Sequence, residues 1–181
     1  MSKALANCER NIKMGPVNLI VHEGPVMMHL SRAPAGQDLR TYDGSGEWVK
    51  IYTLGIEIRK ELANPVFWLP HNDGKEAPRF ISTIPKQTPA GKYLVRVDQV
   101  YYGNSQYNTA PQLFPACAQI EVVSDTTGDL PKGIKIPENL QMDQPGMTSK
   151  YEDLPNKYTY PGGPLWDGET LVQDYPPHWD R

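Results

Sequence analysis

The run Lys92-Tyr93-Leu94-Val95-Arg96-Val97-Asp98-Gln99-Val100-Tyr101-Tyr102 alternates with period two. Tyr93, Val95, Val97 and Tyr101 share one face, while Leu94, Arg96, Asp98, Val100 and Tyr102 form a half-polar other face. Successive side chains of a strand point to opposite sides, so the pattern predicts a long strand packed on one face only. Ala116 to Val123 repeats the alternation, with Ala118, Ile120 and Val122 expected to face inward. Shorter strand candidates are Val17–Val21, Val26–Leu30, Trp48–Tyr52 and Phe80–Ile84. Turn chemistry separates them: Ala33-Pro34-Ala35-Gly36, Asp43-Gly44-Ser45-Gly46, Asn72-Asp73-Gly74 and Thr88-Pro89-Ala90-Gly91. With 15 Gly and 18 Pro among 181 residues, a helical bundle is excluded, because each such residue inside a helix costs about 1 to 3 kcal/mol. Leu54 to Ala63 mixes Leu, Ile, Glu, Lys and Arg and is expected to form a short helix.

Several short strands between Gly/Pro turns predict an all-β fold: an antiparallel immunoglobulin-like β-sandwich with long loops, over residues 1–130. From Asp125 the periodicity dissolves, and Pro131, Pro137, Pro145, Pro155, Pro161, Pro164, Pro176 and Pro177 punctuate the rest. Leu154, Tyr158, Tyr160, Leu165, Trp166, Leu171, Tyr175 and Trp179 make that stretch too apolar for a solvated linker. Residues 131–181 are therefore expected to lie extended on the sandwich and to fray after Gly168.

The 18 basic and 21 acidic side chains leave a net charge of −3, which offers no electrostatic footprint for nucleic acid or an anionic membrane. No apolar run approaches the ~18 residues needed to span a bilayer, and the first twenty residues carry no signal-peptide core. On those grounds alone a cytosolic chain is expected. Its two cysteines, Cys8 and Cys117, could form one disulfide or be two buried thiols, and a cytosolic chain favours the latter.

No G-x-G-x-x-G, P-loop, G-x-S-x-G or H-E-x-x-H motif occurs. Four histidines remain as candidate ligands or acid–base groups: His22, His29, His71 and His178. His22 and His29 are seven residues apart, roughly 23 Å in extended chain, so they cannot share a metal unless the chain folds back. The bland expectation is a packed or surface role for these two and a solvated one for His71 and His178. The tyrosine runs Tyr101-Tyr102 and Tyr158-Thr159-Tyr160 fit strand packing, although an exposed tyrosine could stack on a sugar ring.

Five ordered segments resemble the fungal lytic polysaccharide monooxygenases of auxiliary activity family nine, formerly glycoside hydrolase family sixty-one. His22-Glu23-Gly24-Pro25-Val26 is similar to the family's H-x-G-P-V, and Asp43-Gly44-Ser45-Gly46-Glu47-Trp48-Val49-Lys50-Ile51-Tyr52 to its D-G-S-G-x-W-x-K-I-Y. Ile84-Pro85 with Pro89-Ala90-Gly91-Lys92-Tyr93-Leu94-Val95-Arg96 resembles I-P…A-P-G-x-Y-L-L-R. Ala110-Pro111-Gln112-Leu113-Phe114-Pro115-Ala116-Cys117-Ala118-Gln119-Ile120 resembles A-Q-x-Y/F-P-x-C-x-Q-I/L, and Tyr160-Pro161-Gly162-Gly163-Pro164-Leu165-Trp166 the C-terminal P-G-P segment.

The resemblance implies a secreted, monomeric copper enzyme that cleaves cellulose or related β-glucans oxidatively with an external electron donor. In the family one copper ion is held by a histidine brace: the amine and ring of an N-terminal histidine and the ring of an internal one. His22 matches the internal histidine, Phe114 the axial Tyr/Phe position and Gln112 the glutamine beside bound oxygen. Tyr160 becomes a candidate for the substrate face, and Cys8 and Cys117 match a disulfide pair. Closing their 109-residue loop would contribute about 4 to 5 kcal/mol in the chain-entropy picture. Nitrogen donors in a tetragonal set suit Cu(II). The chain departs from the pattern at three points. Residue 1 is methionine, so two of three nitrogen donors have no counterpart; the part before His22 is short, which implies an N-terminal truncation; and no histidine occurs around Tyr102-Gly103, where the family has one. A non-catalytic carbohydrate- or copper-binding sandwich is the alternative.

Overall fold

The computed structural model describes residues 20–75, 80–103, 109–148, 154 and 156–176. Four of the expected runs become strands, β1 (Val26–Arg32), β2 (Val49–Leu54), β5 (Gly91–Tyr101) and β6 (Gln112–Val122), the last beginning four residues before the expected Ala116. Between β2 and β5 lie β3 (Ile56–Ile58) and β4 (Val66–Trp68), and the C-terminal segment adds β7 (Leu165–Trp166) and β8 (Leu171–Val172). One sheet runs β6-β5-β1-β2-β7-β8, and β3 with β4 forms a second, two-stranded sheet. The described strands make an all-β sandwich, antiparallel except where β7 joins β2 in parallel through Lys50 and Leu165.

Both faces of β5 are buried, which corrects the expectation of a one-sided strand. On one side Tyr93 and Val95 pack with Leu30, Val49, Ile51 and Trp166. On the other, Leu94 and Val100 pack with Met27, Trp48, Ile136, Leu140 and Met147. The last three residues belong to the long segment after β6, so the chain itself covers the half-polar face. Ala118, expected inside, is exposed because β6 is an edge strand, while Ile120 and Val122 are half-buried as predicted.

The covered face holds a polar row. In register across three strands, Lys50 of β2 lies opposite His29 of β1, and His29 opposite Arg96 of β5. All three are buried. Arg96 is paired with Asp98 two residues along the same strand, through Nε at 2.8 Å from Oδ2 and Nη2 at 2.8 Å from Oδ1. Lys50 Nζ donates to the Pro161 carbonyl at 2.9 Å and pairs with Asp174 at 2.6 Å. His29 Nε2 lies 3.0 Å from the Gly162 carbonyl, which can only accept, so that nitrogen carries the proton. Adjacent strands thus grip adjacent carbonyls of the C-terminal segment, and Thr53 donates to the returning Asp174 at 2.6 Å.

Three further expectations are corrected. Leu54–Ala63 is not a helix: Gly55 interrupts it, and Ile56-Glu57-Ile58 is itself a period-two run that pairs with β4. That hairpin buries Ile56, Val66 and Trp68 against Tyr158 and Tyr160. Residues 80–84 form no strand; Ile84 packs on the sheet while Ile81 stays exposed, with no ladder partner. Residues 169–176 do not fray after Gly168, because Leu171–Val172 pairs with β7 and Asp174 is buried. Of the Val17–Val21 candidate, residues 17–19 lie outside the described residues, and 20–21 form no strand.

Candidate functional site

The loop before β1 is drawn onto the end of β5 by Gly24. At φ +144°, a Cβ there would sit 1.8 Å from the Val100 carbonyl oxygen, so only glycine allows the approach. The Val100 N–H then donates to the Pro25 carbonyl at 2.9 Å. The Gln99 side-chain amide donates to the carbonyls of His22 and Val100, at 3.2 and 2.8 Å. This is the local reason for an H-x-G-P-V sequence: the glycine and proline hold His22 against the sheet edge.

The His22 ring stacks on Tyr101 with centroids 4.4 Å apart, and on Phe114 at 5.8 Å. Register explains the cluster. Gln99 lies opposite Phe114 and Tyr101 opposite Gln112, so all four side chains share one face of the β5–β6 ladder. The structure therefore brings His22 and Phe114 together and puts Gln112, which is exposed, one pair further along on that face. The Tyr101 hydroxyl shares a hydrogen bond with Thr109 at 2.8 Å. Sequence reasoning misses Tyr101 and Gln99 as site residues. Their position on the same face as Val97 is readable, but their proximity to His22 depends on the Gly24 turn.

Glu23 leaves on the other side, where its Oε2 accepts from the Tyr102 hydroxyl at 3.1 Å. Tyr160 is buried, not on a substrate face: its hydroxyl accepts the Ile56 N–H at 2.7 Å, and burial pushes its phenol above the usual range. His29 is a core residue, in line with the bland expectation, and its burial pushes its pKa down from 6.5 to about 4. His71 is half-buried beside β4 rather than solvated. Cys117 on β6 is not a free thiol, while Cys8 and His178 lie outside the described residues.

Tested against a copper brace, the described residues around Phe114 and Gln112 offer one imidazole, that of His22, since His71 lies beside β4. No three His, Cys, Asp or Glu side chains group closely enough to hold a metal among the described residues. His29 cannot serve as a second donor beside His22, because its ring is fully buried at the sheet's centre, flanked by the cations of Lys50 and Arg96. The described residues therefore do not fit a complete three-nitrogen site. Among them, no helix is long and apolar enough to cross a membrane.

Residues 6–160 match the profile of Auxiliary Activity family 9 (formerly GH61). The chain is 34% identical over 157 residues to AA9 family lytic polysaccharide monooxygenase G of Aspergillus tamarii, covering 81% of this chain and 43% of that protein. It is 31% identical over 151 residues to monooxygenase H of Malbranchea cinnamomea, covering 82% and 63%. Among solved structures, Cel61B from Hypocrea jecorina shares the fold at TM-score 0.67 and 24% identity, over 84% of this chain and 64% of that one. A cellulose-active polysaccharide monooxygenase from M. thermophila aligns at TM-score 0.66 and 26% identity, over 83% and 68%. The chain thus spans roughly half to two thirds of the length of these relatives. By the profile match, the sequence identities and the shared sandwich together, the chain belongs to Auxiliary Activity family 9, the lytic polysaccharide monooxygenases.

Proposed function

We propose that this chain carries the sandwich and the internal-histidine part of a copper-dependent monooxygenase that cleaves cellulose or a related β-glucan, outside the cell and as a monomer. An external electron donor would drive the reaction. His22 would supply one metal-binding imidazole, Phe114 the apolar wall beside it and Gln112 the hydrogen-bonding group on the open side. The observation that carries this reading is the His22 ring lying over Phe114 at 5.8 Å, on the β6 face that also bears Gln112. The cellulose-active neighbour from M. thermophila supports the substrate class. A Cys8–Cys117 disulfide would tie the N-terminal stretch to β6, and 131–181 would close over 1–130.

Among the described residues, His22 would contribute one of three brace nitrogens, and a single imidazole holds Cu(II) weakly. A second reading, a glucan-binding protein without turnover, gains support from Gly103. Its φ is +77°, and a Cβ there would meet the Thr109 carbonyl oxygen at 2.7 Å. The backbone that stands where the family has a histidine is thus shaped for glycine.

Calorimetric titration of the 181-residue chain with Cu(II) tests both readings. Weak binding that disappears in His22→Ala is expected, with no oxidised oligosaccharides released from cellulose in the presence of copper and ascorbate. Nanomolar affinity, or oxidised products that depend on His22, would show the donor set to be complete. Retention on insoluble glucan without turnover would favour the second reading.

A further inference from the structure

The His22 ring sits on a stretch of chain outside the strands. Residues 20–25 form none, and Val21, next to the histidine, is 73% exposed. Ring stacking alone does not fix such a stretch, because an aromatic pair contributes no more than ordering one residue's backbone costs. Gly24 permits the close approach to Val100 but adds no stiffness, since glycine has the widest backbone freedom. Side chains from outside therefore have to do the holding, and two reach in from the end of β5. Gln99, on the same face as Tyr101 and Phe114, donates to the His22 carbonyl at 3.2 Å. Tyr102 donates to Glu23 Oε2 at 3.1 Å from the opposite face.

Tyr102 is a firm anchor. It is 8% exposed, its ring stacks on Trp68 with centroids 5.5 Å apart, and Ile56, Leu154 and Tyr158 belong to the same cluster. A hydrogen bond to a carboxylate is stronger than one between neutral groups, so the Tyr102–Glu23 contact outweighs the amide contact from Gln99. We propose that Tyr102 is a positioning residue for the His22 imidazole and acts through Glu23. Side chains of consecutive residues in extended chain leave on opposite sides. With the Glu23 carboxylate pinned to Tyr102, the His22 side chain faces Tyr101 and Phe114, on the side that carries Gln112. The two adjacent tyrosines thus divide the work: Tyr101 supplies the surface, and Tyr102 aims the ring at it. Through Trp68, the same contact ties the β3–β4 hairpin to the site. The inference rests on the reading above only in taking His22 as the imidazole of the site.

The test follows the His22 ring-proton signals of the 181-residue chain without metal, assigned by their loss in His22→Gln. Spectra are taken at a pH of about 8, where an ordinary imidazole is neutral, so that a change in nearby charge does not move the signals by titration. Losing a hydrogen bond to a charged acceptor shifts a stacked-to-free ratio about tenfold or more. Tyr102→Phe and Glu23→Ala are each expected to cut the ring-current displacement of these signals by about half or more. Glu23→Gln keeps an oxygen acceptor for the tyrosine hydroxyl and is expected to preserve most of it. The double variant Tyr102→Phe with Glu23→Ala should lose no more than either single one, since both remove the same contact. The two single variants act from opposite ends of that contact, so agreement between them excludes a direct effect of residue 102 on the neighbouring Tyr101 ring. Signals that stay in place in either variant, or a displacement that Glu23→Gln does not preserve, overturn the proposal. A lowered unfolding midpoint with unmoved signals overturns it too, and makes Tyr102 a structural residue alone. Because no metal is present, that outcome leaves the copper reading standing, and the failure of copper binding leaves this one standing.

Discussion

His22 and His29 are seven residues apart on one run of chain, yet they occupy opposite kinds of environment. His22 is half-buried at the sheet's end, held by its backbone carbonyl and by ring stacking on Tyr101. His29 is 0% exposed in the middle of the sheet, with Lys50 and Arg96 opposite it on the two flanking strands. The difference comes from what is laid over each. The described residues between Ile134 and Asp174 close over His29 and its neighbours and bring the Pro161 and Gly162 carbonyls and the Asp174 carboxylate, whereas no described segment comparably buries the His22 end. One sheet thus carries a locked centre and an available end, and the comparison can be broken at either.

The largest effect is expected at the locked centre. Asp174→Ala leaves the Lys50 ammonium buried with only the Pro161 carbonyl among the partners described above. Removing one member of a buried ion pair costs about 3 to 5 kcal/mol, whereas replacing both with apolar residues is often neutral. Chemical denaturation should therefore show a large loss for Asp174→Ala and substantial recovery for Lys50→Met with Asp174→Leu. If the single variant unfolds at the wild-type midpoint, the C-terminal segment is not fastened by this pair.

A smaller effect is expected from His29 itself. Burial dominates its pKa, lowering it from 6.5 to about 4, with Lys50 and Arg96 adding to the fall and Asp98 and the Gly162 carbonyl opposing it. Between those values the unfolded chain binds the proton and the folded chain does not, so stability rises with pH across the window. The loss on acidification from pH 6.5 to 4 is on the order of 3 kcal/mol. It is complete below the folded value, where the depressed carboxylates of Asp38, Asp43 and Asp167 begin to titrate instead. Measured against His29→Met, wild type should show a steeper pH dependence in that window alone. Parallel curves would mean that His29 is hydrated.

How much of this is readable in the sequence depends on whether a feature is local. The long strand β5 and the second half of β6 follow from alternation, because a strand's period is visible in its own residues, while β1 and β2 are marked by the turn residues around them. The Lys50–His29–Arg96 row is not readable. Each member looks like an ordinary polar residue on a solvated face, and only the β2-β1-β5 order puts the three side by side. Tyr160 fails as a substrate residue for the same reason: its partner, Ile56, is 104 residues away. Leu54–Ala63 misleads locally, because its side chains favour a helix while Gly55 and the Ile-Glu-Ile alternation favour the observed turn and strand. At the site, the motif residues His22 and Phe114 meet, while the aromatic partner Tyr101 emerges only once the Gly24 turn is known.

The smallest effect is expected at the available end. Tyr101→Leu removes the ring on which His22 stacks and the hydroxyl contact with Thr109, whereas Tyr101→Phe removes only the latter. An aromatic pair of this kind is worth about 0.5 to 1.5 kcal/mol. The global destabilisation in Tyr101→Leu should therefore be about 1 kcal/mol, well below that of the Asp174 variant. The sharper readout is the His22 ring-proton shifts in NMR. Stacking on Tyr101 should displace them, Tyr101→Phe should preserve the displacement and Tyr101→Leu should reduce it, with Phe114 supplying the remainder. A double-mutant cycle with Phe114→Leu separates the two rings. Because Tyr101 and Phe114 lie diagonally across the β5–β6 pair and share His22, their effects should not add. Additive effects would mean that the imidazole rests on one ring at a time, and that the sheet end is looser than its stacking geometry implies.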